Sequence, residues 1–136
     1  MLSERDKIIQ KIPALSFGEV EKIHLFINEA LIFNSKHNIF VREGFDDVLN
    51  KDIFDCMPLI EKIDNNTKIL DLGSGGGFPG ILIAIIKTNC EIHLVEKAQK
   101  KAYFLKKMKD ILKLENIEII NNCLLYTSDA ADDLGR

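Results

Sequence analysis

The sequence predicts an α/β fold, the first half of a doubly wound and mostly parallel sheet, preceded by a helical segment. Three observations carry that expectation. Short apolar runs at 68–72, 91–96 and 117–121 have the length and composition of strands. Between the first two lies "GSGGGFPG", residues 73–80, five glycines in eight positions, followed by the apolar run Ile81–Ile86. Between the second and third strands, Ala102, Leu105, Met108 and Leu112 recur at helical spacing.

The elements follow in order. "LSERDKIIQKI" predicts a short helix ending before Pro13, because a proline disfavours helical backbone in the residue ahead of it. Ser16 and Glu19 have capping-box spacing, and Val20, Ile23, Phe26, Ile27, Ala30 and Leu31 then form one apolar stripe to about Phe33. "NSKHN" breaks that helix. A further helix is expected over about 46–63, with Leu49, Ile53, Met57 and Ile60 on one face and Pro58 kinking or dividing it. "DNNT" turns into the first strand, Lys68–Leu72, which reads as covered on both faces. Pro79 suits a first helical turn, where its missing N–H costs nothing. The expected organisation is a helical segment over 1–63 and half of an α/β domain over 64–122.

Composition narrows the class. With 136 residues, 46% hydrophobic and 29% charged, the chain reads as one small globular domain. No apolar run is long enough to cross a bilayer and no signal peptide opens the chain, so a cytoplasmic protein without a membrane partner is expected. Cys56, Cys90 and Cys123 are odd in number and scattered, which argues for reduced thiols and against a metal site. A net charge of −3 confines any nucleic-acid contact to a local basic patch.

The glycine stretch carries the chemistry. Strand, glycine turn and helix open a nucleotide-type βαβ unit, in which bare backbone lets a ligand come close. Gly75 to Gly80 satisfies G-x-G-x-x-G, which also fits a dinucleotide binder, while the absence of Gly-Lys-Ser/Thr excludes a P-loop. A second register, Asp71-Leu72-Gly73-Ser74-Gly75-Gly76-Gly77, puts an acid ahead of the glycines. That acid suits a cationic amine, directly or through water, and is an odd neighbour for a pyrophosphate. Glu96 ends the next strand where a ribose diol needs an acceptor. An amine-binding and a ribose-binding acid together suit S-adenosylmethionine, which has both groups and no phosphate. The plain alternatives are a ligand-free turn and a solvated strand end at Glu96.

Residues 71–80, "DLGSGGGFPG", closely resemble the glycine loop of the bacterial small-subunit (16S) ribosomal RNA guanine-N7 methyltransferases, also called the glucose-inhibited division protein B family. "NIF" at 38–40, "DIFDCMPL" at 52–59, "EKAQKKAYFLKKM" at 96–108 and "LKLENIEIINN" at 112–122 agree, so the likeness spans about 16–122. The resemblance implies a Rossmann-like, class I S-adenosylmethionine-dependent methyltransferase acting on 16S ribosomal RNA or the small subunit, as a monomer. It places Asp71 toward the cofactor's amine, Gly73, Ser74, Gly75 and Phe78 around the cofactor, and Glu96 on the ribose. Phe78 as a core plug is the competing reading. Asn38 and Asp55 match the family's Asn and Asp on the acceptor side, whereas Asp52 stands where many members have His and Cys56 replaces a Ser. Lys100 and Lys101 fall where the family keeps basic residues and are candidates to face RNA; a solvated helix face also explains them. His24 and His37 lack partners at ligand spacing and read as incidental. No catalytic residue is assigned, since guanine N7 has a free lone pair and needs no base.

Two rivals share parts of this pattern, a small-molecule methyltransferase using the same cofactor and an NAD-binding Rossmann protein. The tail "CLLYTSDAADDLGR", 123–136, resembles the translation of a sequencing-library adapter, so a non-native tail on a C-terminally truncated, inactive fragment is expected, with a divergent natural terminus as the alternative.

Overall fold

The computed structural model describes residues 1–73 and 77–121. Ser74 and Gly75 of the predicted site, and the 123–136 segment, lie outside the described residues.

Helices α1, Glu4–Lys11, and α2, Phe17–His37, begin the chain, and both start on a serine. Ser16 Oγ accepts the Glu19 N–H at 3.2 Å, and Glu19 Oε1 accepts the Ser16 N–H at 2.8 Å, which satisfies two donors that a helix start leaves unpaired. Ser3 and Asp6 repeat the arrangement at α1, a capping box that was not read from the sequence. The predicted α2 stripe is the buried face: Val20, Ile23, Phe26, Ile27 and Ala30 are all in the core. Asn38 closes α2 in a left-handed conformation with φ 51°, which asparagine tolerates better than other side-chain-bearing residues.

The stretch expected to be one helix from 46 to 63 is instead four short pieces. Helix α3 is Phe45–Val48; a wide, π-type turn covers Leu49–Ile53; a tight 3₁₀ turn covers Phe54–Cys56; helix α4 is Met57–Glu61. Pro58 is the physical reason for the last break. It sits in the first turn of α4, where its ring and missing N–H are tolerated, so the regular helix restarts just ahead of it.

Three parallel strands follow, β1 Lys68–Leu72, β2 Glu91–Glu96 and β3 Ile117–Asn121, in the order β1-β2-β3. Helices α5, Gly80–Ile86, and α6, Gln99–Leu112, connect them. The register pairs Asp71 with Leu94 and Leu72 with Val95, and on the far side Leu94 with Ile119. The α/β class with a parallel sheet is therefore the one the sequence predicts.

One expectation is corrected. Among the described residues β1 is not covered on both faces: Leu70 and Leu72 are 63% and 70% exposed, whereas Ile92 and Leu94 on the other face of the sheet are fully buried. Among the described residues, the face carrying Ile69, Asp71, Ile92 and Leu94 is the one that receives the packing that continues into α2, α5 and α6. β1 also forms an edge among the described residues, with β2 as its partner.

Candidate functional site

The C-terminal ends of β1 and β2 bring the predicted residues to one end of the sheet, where open parallel sheets bind ligands. Gly73 leaves β1 with φ +69°, its N–H donating to the Val95 carbonyl at 2.7 Å, and a Cβ added there would meet nothing within 4 Å among the described residues. Backbone in this conformation without a side chain lets another group approach closely. The far end of the turn is different. A Cβ on Gly77 would stand 2.8 Å from Ile81 Cγ1, and one on Gly80 would stand 2.2 Å from Leu94 Cδ2 and 2.7 Å from Asp71 Oδ2.

Asp71 lies on the covered face, half-buried, its carboxylate turned toward the first turn of α5. Burial pushes its carboxyl above the usual range, the Gly80 N–H opposes that rise, and the charge of Glu96 adds to it. Its Oδ2 is buried and has no hydrogen-bond partner among the described residues. A buried acceptor left without a donor is costly in isolation, so it is a place where an ammonium group or its hydration water would fit.

Glu96, buried at the end of β2, accepts the Ala98 N–H through Oε2 at 2.9 Å. That bond ties the carboxylate to the start of α6. Glu96 also lines a cavity of about 900 Å³, walled by His37, Asn38 and Ile39 at the end of α2 and by residues 96–101 on the other side. The structure thus brings Asn38, Glu96, Lys100 and Lys101 together. Asp55, exposed on the 3₁₀ turn, is not among the residues that line this cavity.

Phe78 is partly buried and packs on Phe26 at 4.7 Å between ring centroids, with Phe40 6.3 Å away. It anchors the turn to α2 and touches the loop that follows Asn38. That loop is tied down twice more. Asn34 Oδ1 accepts the Phe40 N–H at 2.9 Å, and Arg42 grips Asp52 with Nε at 2.8 Å and Nη2 at 2.9 Å. Asp52, which departs from the resembled family's His, is thus one half of a bidentate, largely buried ion pair, a geometry that arginine's planar fork makes specific. Removing either partner would strand a charge, which costs far more than the pair itself contributes. Cys56 is partly buried, and burial, with the charges of Asp52 and Asp55, pushes its thiol up, so it is no candidate nucleophile.

Two functional candidates were missed in the sequence. Arg42 carries no motif, and its partner is ten residues away. His37 read as incidental, yet it lines the cavity and packs on Phe33 with the ring planes tilted by 43°. A histidine four residues after a phenylalanine on one helix was the available signal.

A family described as rRNA small subunit methyltransferase G matches residues 19–126. The chain belongs to that family. Among its curated relatives, the ribosomal RNA small subunit methyltransferase G of Borrelia garinii subsp. bavariensis is 38% identical over 110 residues, covering 77% of this chain and 52% of that protein. The protein of the same description from Dictyoglomus thermophilum is 31% identical over 134 residues, covering 97% of this chain and 53% of the relative. The chain spans about half the length of these methyltransferase G relatives. A solved structure, coclaurine N-methyltransferase bound to N-methylheliamine and SAH, superposes with a TM-score of 0.49 at 14% identity, over 87% of this chain and 43% of that one.

Proposed function

We propose that this chain is the cofactor-holding half of an enzyme that transfers a methyl group from S-adenosylmethionine to guanine N7 of small-subunit ribosomal RNA. The observation that carries the reading is the pairing of an open, acid-led glycine turn at Gly73 with a buried glutamate, Glu96, at the end of the neighbouring strand. Membership of the methyltransferase G family supports the RNA substrate.

When bound, the cofactor supplies a methyl group on a cationic sulfonium. The chain's own groups hold and orient it. Gly73 leaves room for the methionine portion against bare backbone, and Ser74 and Gly75 are kept as cofactor-binding candidates on the family resemblance alone. Asp71 offers its unpartnered Oδ2 to the amine or to a bridging water. Glu96, held in place by the Ala98 N–H, accepts from the ribose hydroxyls. Phe78 braces the turn against Phe26, so that the cradle keeps its shape. Guanine N7 attacks through a lone pair and has no proton to lose, so the protein's contribution is alignment of acceptor, methyl carbon and sulfur rather than proton transfer. Asn38 and Asp55 are assigned to the acceptor side, with Lys100 and Lys101 meeting the RNA backbone.

Calorimetric titration of this chain tests the cofactor. S-adenosylhomocysteine should bind one-to-one and NAD should give no heat, with Glu96→Gln weakening the first by about tenfold through loss of a charge-assisted hydrogen bond. NAD binding without S-adenosylhomocysteine binding would end the reading.

A further inference from the structure

We propose that His37 is a nucleobase-stacking platform on which an unpaired RNA base rests at the mouth of the 900 Å³ cavity. The inference deepens the function proposed above and rests on that reading for its choice of RNA.

The imidazole is the outer end of a ring column. His37 lies 4.4 Å from Phe33, centroid to centroid, and Phe33 stacks on Phe104 at 4.6 Å with the planes 24° apart. Phe104 is buried on α6, so the column roots an exposed ring in the core and joins the last turn of α2 to the helix across the cavity. A ring fixed in this way gives up little freedom when a second flat group packs on it, and flat aromatic and imidazole faces are what proteins offer to unstacked bases. A basic residue type in the last turn of a helix is common there, and that is the plain role for His37. That role does not require a ring column, nor a place in the cavity wall.

The charges around the ring favour RNA over the cofactor's adenine as the source of the base. Lys100 and Lys101 line the same cavity, and among the described residues neither makes an ion pair. S-adenosylmethionine has no phosphate for them to pair with. An RNA strand places a phosphate beside every base, so stacking on His37 and contact with Lys100 and Lys101 are satisfied together.

The test uses the whole chain and two probes, a fluorescently labelled single-stranded RNA oligonucleotide read by anisotropy and S-adenosylhomocysteine read by calorimetry. His37→Ala should weaken the RNA roughly tenfold or more, the range of losing one stacked base, while His37→Phe keeps the affinity within about twofold and neither changes S-adenosylhomocysteine binding. Circular dichroism melts of both variants check that α2 is intact; His37→Phe keeps a flat ring but not the ring nitrogens, so a purely helix-capping role would lower both melts alike. Loss of S-adenosylhomocysteine binding with RNA binding unchanged would give the platform to the adenine and overturn the proposal. Equal loss of RNA binding in the Ala and Phe variants, or no RNA binding by the unaltered chain, would overturn it too. RNA binding that depends on the ring in a chain that binds no S-adenosylhomocysteine would sink the methyltransferase reading and leave the platform standing.

Discussion

Gly73 and Gly80 stand at the two ends of one turn, and a methyl group added to each meets opposite surroundings. At Gly73 it would meet nothing within 4 Å among the described residues; at Gly80 Leu94 Cδ2 would be 2.2 Å away and Asp71 Oδ2 2.7 Å. The first glycine is left free for the ligand role proposed above, and the second serves the chain itself by letting α5 lie against β2. Gly77 belongs with the second kind, since its φ of +94° and the 2.8 Å approach of Ile81 Cγ1 both exclude a side chain. A run of glycines that looks uniform in sequence thus splits in two: Gly77 and Gly80 serve helix–sheet packing, and Gly73 is the one proposed for ligand approach.

The sharpest way to break that division is Gly80→Ala. A Cβ at 2.2 Å from Leu94 Cδ2 must push α5 off the sheet or force Leu94 out of its rotamer, so stability should fall by about 2–3 kcal/mol in urea denaturation. Adding Leu94→Ala to that variant should cost less than the sum of the two single changes, because the second removes the clash made by the first. Additive costs would mean that Gly80 is not a packing glycine.

A smaller effect on folding is expected at the other end. Gly73→Ala must hold a left-handed φ of +69° with nothing to clash against, so it should cost about 1 kcal/mol in stability. Gly73→Asn, which suits that backbone better, should cost less. Both should weaken S-adenosylhomocysteine binding in a calorimetric titration, since each side chain occupies the space that the bare backbone leaves. A Gly73→Asn chain that folds and binds the ligand as before would show that the cradle is not where the ligand lies.

How much of this was legible beforehand depended on the range of the interaction. Ser16 and Glu19 announced a helix start because a capping box is complete within four residues. The α6 stripe Ala102, Leu105, Met108 and Leu112 was legible because a helix turns at a fixed period, and all four are buried. Leu70 and Leu72 misled, since an apolar run in a strand says that it can be covered and not whether both faces are. His37 was invisible as a candidate because its meaning lies in Phe104, 67 residues further along, reached through Phe33. The Arg42–Asp52 pair was hidden for the same reason: nothing local marks a loop arginine as the partner of a carboxylate in an irregular turn. Within the turn itself the positions of the glycines were readable, but which of them faced the core was decided by Leu94 and Phe26 on other elements.

Asp71 joins the two ends of the turn, and the smallest expected effect tests which end it serves. Burial is the main cause that raises its carboxyl in the folded chain, with the charge of Glu96 adding to it and the Gly80 N–H opposing. An acid with a raised folded pKa holds its proton to higher pH than the unfolded chain does. Stability should then fall as pH climbs from the ordinary carboxylate range to the raised value, and change no further above it. Asp71→Asn should abolish that slope in urea denaturation measured across the window, and should leave the neutral-pH chain slightly more stable, by under about 1 kcal/mol because a half-exposed carboxylate is partly solvated. Saturating S-adenosylhomocysteine separates the two roles. If Oδ2 holds the ligand's ammonium, the cation favours the charged carboxylate and the slope should vanish in the unaltered chain as it does in the Asn variant. If Asp71 only pins the start of α5, the slope survives ligand binding, and the amine must find its partner elsewhere at the open end of the turn.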